Sequence, residues 1–139
     1  MELKVLKNPE VRKPHIDNAT RTRIHLDKET LKKIKNKAFM LDTTSSEIVR
    51  CIIEFYLENK VETNEEEQKR ISFKDGEQTI LLKAMTIQEV RKDIKDTSGM
   101  QIYLNKEVIN QLKKEAIDLG ATMSEVVRVL VNWYVQSEE

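Results

Sequence analysis

The chain has 139 residues, of which 35% are charged and 5% aromatic, and its formal net charge at pH 7 is zero. This neutral total argues against a generic nucleic-acid binder, since such proteins are usually basic. The single cysteine, Cys51, excludes an intramolecular disulfide, and no apolar run is long enough to span a membrane. Without a signal-peptide pattern, we expect a cytoplasmic protein that does not associate with membranes.

The charges are unevenly distributed along the chain. Residues 1–37 contain 11 Lys/Arg and 5 Asp/Glu, a balance of +6, whereas residues 38–139 contain 13 and 19, a balance of −6. Such a polarised molecule can turn its basic part towards an anionic partner. Both prolines lie within residues 1–20, and we expect this segment to be a flexible basic N-terminal arm.

An internal repeat divides the rest of the chain. Residues 24–57 and 102–135 align without a gap at an offset of 78 residues and are identical at 13 of 34 positions. A repeat of this kind determines the architecture of a chain. We assign residues 21–59 to the first unit and residues 99–139 to the second. Each unit is too short to bury a core of its own, so each needs a partner.

Residues 21–27 alternate in character. Thr22, Ile24 and Leu26 would face one side, and Arg21, Arg23 and His25 the other. A period of two predicts a half-buried strand. A short strand is not stable alone, so it must pair, and the second copy is the obvious candidate.

A helical period follows each predicted strand. In the first copy it begins near Lys28 and ends near Asp42, where the second copy has Gly120, a residue suited to a left-handed helix end. A capping box, Thr44-Ser45-Ser46-Glu47, then opens a second helix, and Thr122-Met123-Ser124-Glu125 repeats it. The second helices are broadly apolar, which indicates burial between neighbours.

Residues 60–98 join the two copies. Their first part is acidic and resembles a linker. The apolar residues from Ile80 to Ile94 keep a helical spacing, which predicts one helix near residues 77–95. A hairpin about Asp75-Gly76, a turn signal, is the alternative.

The order of strand, amphipathic helix, capped turn and apolar helix, found twice, resembles the ribbon-helix-helix family of the MetJ/Arc/CopG type. The resemblance rests on Arg23-Ile24-His25-Leu26-Asp27 with its helices, and on Gln101-Ile102-Tyr103-Leu104-Asn105 with the second pair. It implies a mainly α fold with a short two-stranded antiparallel β ribbon, built from two ribbon-helix-helix units in one chain. The sequence leaves open whether the two copies pair within one chain or between chains.

The resemblance also implies a function, sequence-specific binding of double-stranded DNA with the ribbon in the major groove. Outward strand residues would read bases, and the first turn of each second helix would bind a phosphate. The implied base-reading residues are Arg21, Arg23, His25, Gln101 and Tyr103. The implied phosphate-binding residues are Thr44, Ser45, Ser46, Thr122, Met123 and Ser124.

Two biological roles follow from the resemblance. Tandem units in one chain are similar to TraY-type plasmid transfer proteins, which implies transcriptional regulation such as repression, or an accessory role in the relaxosome at a plasmid transfer origin. The protein would then also associate with itself and bind a relaxase or another transfer protein. The alternative is a protein-interaction module or antitoxin-like component that binds a relaxase, a coupling protein or a toxin.

Enzymatic chemistry finds no support in the sequence. No nucleophile, base and acid form a recognisable set, and three glycines do not make a phosphate-binding loop. With two histidines and one cysteine, we expect no metal site and no cofactor.

Overall fold

The computed structural model describes residues 17–61, 71–82 and 97–138. In these ranges the chain is mostly helical, and no helix combines the length and apolarity that a membrane crossing needs. The elements are β1 (Ala19–Asp27), α1 (Lys28–Met40), α2 (Ser45–Asn59), β2 (Ile71–Asp75), β3 (Gln78–Leu82), β4 (Thr97–Asn105), α3 (Lys106–Leu119) and α4 (Met123–Ser137).

Strands β1 and β4 form a two-stranded antiparallel ribbon within the one chain. Its paired positions centre on Arg23, which lies opposite Gln101. These two residues are themselves 78 apart, so the register is symmetric about an approximate twofold axis that exchanges the repeat copies. We call residues 19–60 the first half and residues 97–138 the second half, because the offset converts one range into the other.

One face of the ribbon covers the core. Ile24 and Leu26 are fully buried on β1, whereas Arg21, Arg23 and His25 are exposed. This confirms the alternation predicted for residues 21–27, and β4 repeats it with its own buried residues. Most of the core consists of aliphatic side chains from the inner ribbon face and all four helices, among them Ile34, Ile48, Ile52, Ile102, Leu104, Leu112 and Leu130.

The helices begin and end close to where the sequence predicts. At α2 the Thr44 hydroxyl accepts a hydrogen bond from the Glu47 backbone N–H, at 3.1 Å. At α4 both parts of the capping box are present, since Thr122 accepts from the Glu125 N–H and the Glu125 carboxylate accepts from the Thr122 N–H. These bonds satisfy N–H groups that have no partner inside a helix.

The first helix of each half ends in the same backbone conformation. Asp42 has φ of 54° and Gly120 has φ of 66° at equivalent positions. Glycine adopts this left-handed region without strain, and aspartate is one of the few other residues that tolerates it. This confirms the role predicted for Gly120.

Several predicted boundaries differ from the structure. The strands β1 and β4 each begin two residues earlier than the predicted units, at Ala19 and Thr97. Residues 1–16 of the predicted N-terminal arm lie outside the described residues. The helix predicted near residues 77–95 is wrong at its start, because Gln78–Leu82 is a strand; its remaining residues, 83–95, lie outside the described ranges.

The alternative hairpin is the one that the structure contains. Strands β2 and β3 pair antiparallel about a turn in which Gly76 has φ of 64°. Ile71 and Phe73 on β2 are buried. The turn consists of Gly76 and Glu77, since Asp75 pairs with Gln78, and glycine is favoured at the first position of a tight two-residue hairpin turn because that position needs a positive φ.

The hairpin packs on the helices through Phe73. Its ring makes edge-to-face contacts with Phe55, Tyr56 and Trp133, and the ring centroids are 6.2, 5.9 and 4.9 Å apart. The backbone N–H of Val61 also donates to the carbonyl of Ser72, at 2.9 Å. The hairpin therefore closes the core near the C-terminal ends of α2 and α4.

Pairing within the chain makes a prediction about thermal unfolding. A protein whose ribbon forms inside one molecule has a melting temperature that does not depend on its concentration. We expect the midpoint, measured by circular dichroism, to stay constant over a hundredfold range of protein concentration. A steady rise with concentration would show that the strands come from two molecules.

Candidate nucleic-acid interface

The outer face of the ribbon brings all five predicted base-reading residues together. Side chains directly opposite each other in an antiparallel pair lie on the same face. Gln101 is exposed and Tyr103 is half-buried. The middle of this face consists of three cross-strand pairs, Arg21 with Tyr103, Arg23 with Gln101 and His25 with Gly99.

Gly99 provides the space that Arg23 occupies. A methyl group placed on Gly99 would lie less than 3.0 Å from the Arg23 guanidinium. The guanidinium thus lies diagonally across the ribbon, over a residue without a side chain. In the repeat, Gly99 is the counterpart of Arg21, so the sequence alone indicates only that the second copy lacks a side chain there. A glycine inside a strand often marks a place where another group approaches closely, and this clue could have indicated the position of Arg23.

The second helix of each half is bonded to the strand of the other half. The Ser46 hydroxyl of α2 donates to the carbonyl of Gln101 on β4, at 3.0 Å. Arg128 of α4 donates from Nη2 to the carbonyl of His25 on β1, at 3.1 Å. These bonds hold the start of each second helix beside the ribbon.

The predicted phosphate-binding residues lie at the N-terminal ends of α2 and α4. Here the unpaired backbone N–H groups and the helix dipole favour an anion. The Thr44 and Thr122 hydroxyls accept capping bonds, and the Ser46 hydroxyl is bonded to β4. A phosphate at these ends would therefore be bound mainly by backbone N–H groups. The six residues are Thr44, Ser45, Ser46, Thr122, Met123 and Ser124.

Arg50 and Arg128 are equivalent residues with different surroundings. Arg50 forms ion pairs with Glu47 and Glu54, including a bond of 3.0 Å from its Nε to Glu47. Burial lowers the pKa of Arg50, but the hydrogen bond to Glu47 and the nearby carboxylates raise it above its ordinary value overall. Arg128 is 3% exposed, and its Nε and Nη1 have no hydrogen-bond partner among the described residues.

This contrast predicts different losses of stability. Arg50→Met removes a cation that pairs with the buried Glu47 carboxylate, and we expect a loss of about 3 kcal/mol in the free energy of unfolding. Arg128→Met replaces a poorly satisfied buried cation by an apolar side chain and is expected to change it by less than about 1 kcal/mol. Urea unfolding measures both, and equal losses would contradict the prediction.

Cys51 lies beside this ion-pair cluster. Burial raises the pKa of its thiol to about 12, so the thiol is neutral at physiological pH and a poor nucleophile. It is buried in the first half at the position of Val129 in the second. Both observations favour a packing role. Within the described ranges, no group of three or more His, Cys, Asp or Glu side chains could hold a metal ion.

Comparison with known protein families gives a match, which lies in the first half. Residues 20–60 match the family model described as ribbon-helix-helix protein, copG family. No curated protein and no solved structure gives a significant match to the chain. The matched segment contains β1, α1 and α2. The match therefore supports a ribbon-helix-helix unit in the first half of this chain.

Proposed function

We propose that this protein binds double-stranded DNA at specific sequences by inserting the β1–β4 ribbon in the major groove. The family match over residues 20–60 supports this proposal. The observation that carries it is the outer ribbon face, which presents Arg21, Arg23 and Gln101 to solvent while the inner face is core. A two-stranded ribbon fits the major groove, where each base pair has a distinct pattern of donors and acceptors.

The proposed readers differ between the strands, so the DNA site is asymmetric. Arg21 and Arg23 donate paired hydrogen bonds to guanine O6 and N7. Gln101 pairs with adenine in the same two-bond manner, and Tyr103 donates its hydroxyl or packs on a thymine methyl group. His25 is the third proposed base-reading residue on β1.

The second half acts in this proposal as the second ribbon-helix-helix unit. Its β4, α3 and α4 have the order and caps of the first half. The backbone N–H groups at the starts of α2 and α4 bind one phosphate each and so fix the position of the ribbon on the duplex.

The biological role is regulation of transcription, with repression the simplest form. An accessory role at a plasmid transfer origin, as in a relaxosome, is the more specific version, and it rests on the tandem arrangement. Both roles use the same contact between the ribbon and DNA.

A protein-binding role has one observation in its favour. Phe39 and Met40 at the end of α1 are 85% and 76% exposed, and Ile117 on α3 is 77% exposed. Phe39 and Ile117 occupy equivalent positions. Large exposed apolar side chains suit a protein contact, such as one with a relaxase, coupling protein or toxin.

Selection of bound sequences from a random duplex pool tests the proposal. We expect one asymmetric sequence to be enriched, and its dissociation constant to rise about tenfold or more between 50 and 200 mM salt. Phe39→Ser with Ile117→Ser should leave this binding unchanged, because neither residue lies on the ribbon. The proposal fails if no sequence is enriched.

A further inference from the structure

Two ion pairs join the halves at symmetric places. Lys60 donates from Nζ to Glu115 Oε1 at 2.6 Å, and Lys37 donates from Nζ to Glu138 Oε2 at 3.3 Å. At the offset of 78 residues, Lys37 corresponds to Glu115, and Lys60 corresponds to Glu138. The two ion pairs are therefore one contact made twice, with the signs of the charges exchanged.

The exchange of signs matters for any pairing of like halves. If two first halves paired with the same geometry, Lys60 of each would meet Lys37 of the other. If two second halves paired, Glu138 of each would meet Glu115. Two molecules with the native pairing have four attractive contacts, two in each. If the same molecules paired like halves instead, they would have two contacts between lysines and two between glutamates, all four repulsive.

The ribbon face also opposes the pairing of two first halves. The register is symmetric about position 23 on β1 and position 101 on β4. A ribbon of two first halves would place Arg23 opposite the Arg23 of the other molecule, and Arg21 opposite His25. Like charges directly opposite each other destabilise a strand pair. In the native ribbon these residues lie opposite Gln101, Tyr103 and Gly99 instead.

A hydrogen bond strengthens one of the two contacts. The Tyr56 hydroxyl donates to Glu115 Oε2, at 2.9 Å. A pairing of second halves would bring the equivalent Tyr134 to Glu115, so this bond adds to the contact without distinguishing the pairings. Each ion pair is partly exposed and alone contributes little. The preference arises because these ion pairs change together.

We propose that these charges make the pairing surface of each half accept the other half and reject a second copy of itself. Each ribbon then has β1 opposite β4. Two molecules do not exchange halves to form ribbons of β1 with β1 and β4 with β4. The inference concerns the pairing surface only, so it does not depend on whether the ribbon binds DNA.

A charge exchange at one of the two contacts tests it. Lys37→Glu combined with Glu138→Lys keeps both ion pairs inside the chain. It also makes these contacts attractive in both like pairings, because Lys60 would meet a carboxylate at position 37 and Glu115 an ammonium at position 138. The full chain is compared with this variant by sedimentation equilibrium at low salt, where charge contacts are least screened.

We expect the dimerisation constant of the exchanged variant to exceed that of the parent by about tenfold or more, which corresponds to about 1.4 kcal/mol. The segment that joins the halves is the same in both proteins, so its contribution cancels. Adding Lys60→Glu and Glu115→Lys exchanges the second contact as well, restores repulsion between like halves, and should return the constant to the parent level. An exchanged variant that dimerises no more than the parent overturns the proposal.

A cysteine probe identifies which halves pair. Cys51→Val removes the native thiol, and Gln101→Cys introduces a new one. Only in a ribbon of two β4 strands do the new thiols of two molecules lie opposite each other. Oxidation should link the exchanged variant into covalent dimers and leave the parent monomeric. Dimers without this disulfide overturn the proposal, because they would arise from another surface. If the first variant does not fold, Lys60→Glu with Glu115→Lys alone is the reciprocal exchange and has the same expected results.

Discussion

Arg23→Ala is expected to weaken binding to the selected duplex by about tenfold to a hundredfold, the loss typical of one two-bond contact with guanine. Arg23 is exposed at the centre of the ribbon, opposite Gln101. Without its guanidinium, the preference for one base pair should relax while the other positions keep theirs. Equilibrium titration of the selected duplex measures the first effect, and a second selection measures the other. Arg21→Ala should act in the same way at another base pair.

Two variants separate the arginine contact from a general effect of charge. Lys74→Ala removes an exposed cation from the hairpin and should change the affinity by less than about threefold, since its charge lies off the ribbon. Gly99→Ala keeps the charge of Arg23 but displaces its guanidinium, so a smaller loss is expected. If Arg21→Ala and Arg23→Ala both bind like the parent, the ribbon does not read the DNA.

The strand and its two faces could be predicted because the ribbon has one buried side. Burial of Ile24 and Leu26 imposes a period of two on seven residues, and the exposed arginines follow from the same pattern. The start of α2 was equally predictable, since a capping threonine is a local signal. These features depend on neighbours in sequence.

The pairing of the halves within one chain could not be predicted from the same pattern. Strand pairing within a chain and between chains buries the same residues, so hydrophobic periodicity is identical for both. The charges proposed to distinguish unlike from like halves lie on ordinary solvated helix residues in the sequence, Lys37, Lys60, Glu115 and Glu138. Their meaning depends on contacts across 55 and 101 positions of the chain.

The hairpin was the alternative prediction and not the first one, for a related reason. Ile80 begins a helical spacing, and the five-residue strands β2 and β3 are too short to show a strong alternation. Ser72 is buried between Ile71 and Phe73, which breaks the period further. Packing of Phe73 against aromatic residues of α2 and α4 stabilises the hairpin, and no local pattern encodes that contact.

Phe73→Ala is expected to lower the free energy of unfolding by about 3–5 kcal/mol, the usual cost of removing a buried aromatic ring. Its side chain is 1% exposed, and its ring contacts Phe55, Tyr56 and Trp133. The cavity left by alanine would open between both second helices and the hairpin. Urea unfolding of the parent and the variant measures the loss.

Leu81→Ala is the matched control in the same hairpin. Leu81 is 42% exposed on β3, so its removal should cost less than about 1 kcal/mol. DNA affinity of the folded Phe73→Ala protein should be unchanged, because the proposed phosphate-binding ends of α2 and α4 lie about 20 Å along each helix from its C-terminal end. If the Phe73→Ala variant is as stable as the Leu81→Ala variant, the prediction is wrong. The hairpin would then unfold separately from the helical core, and Phe73 would hold the hairpin in place without contributing to the free energy of unfolding of the core.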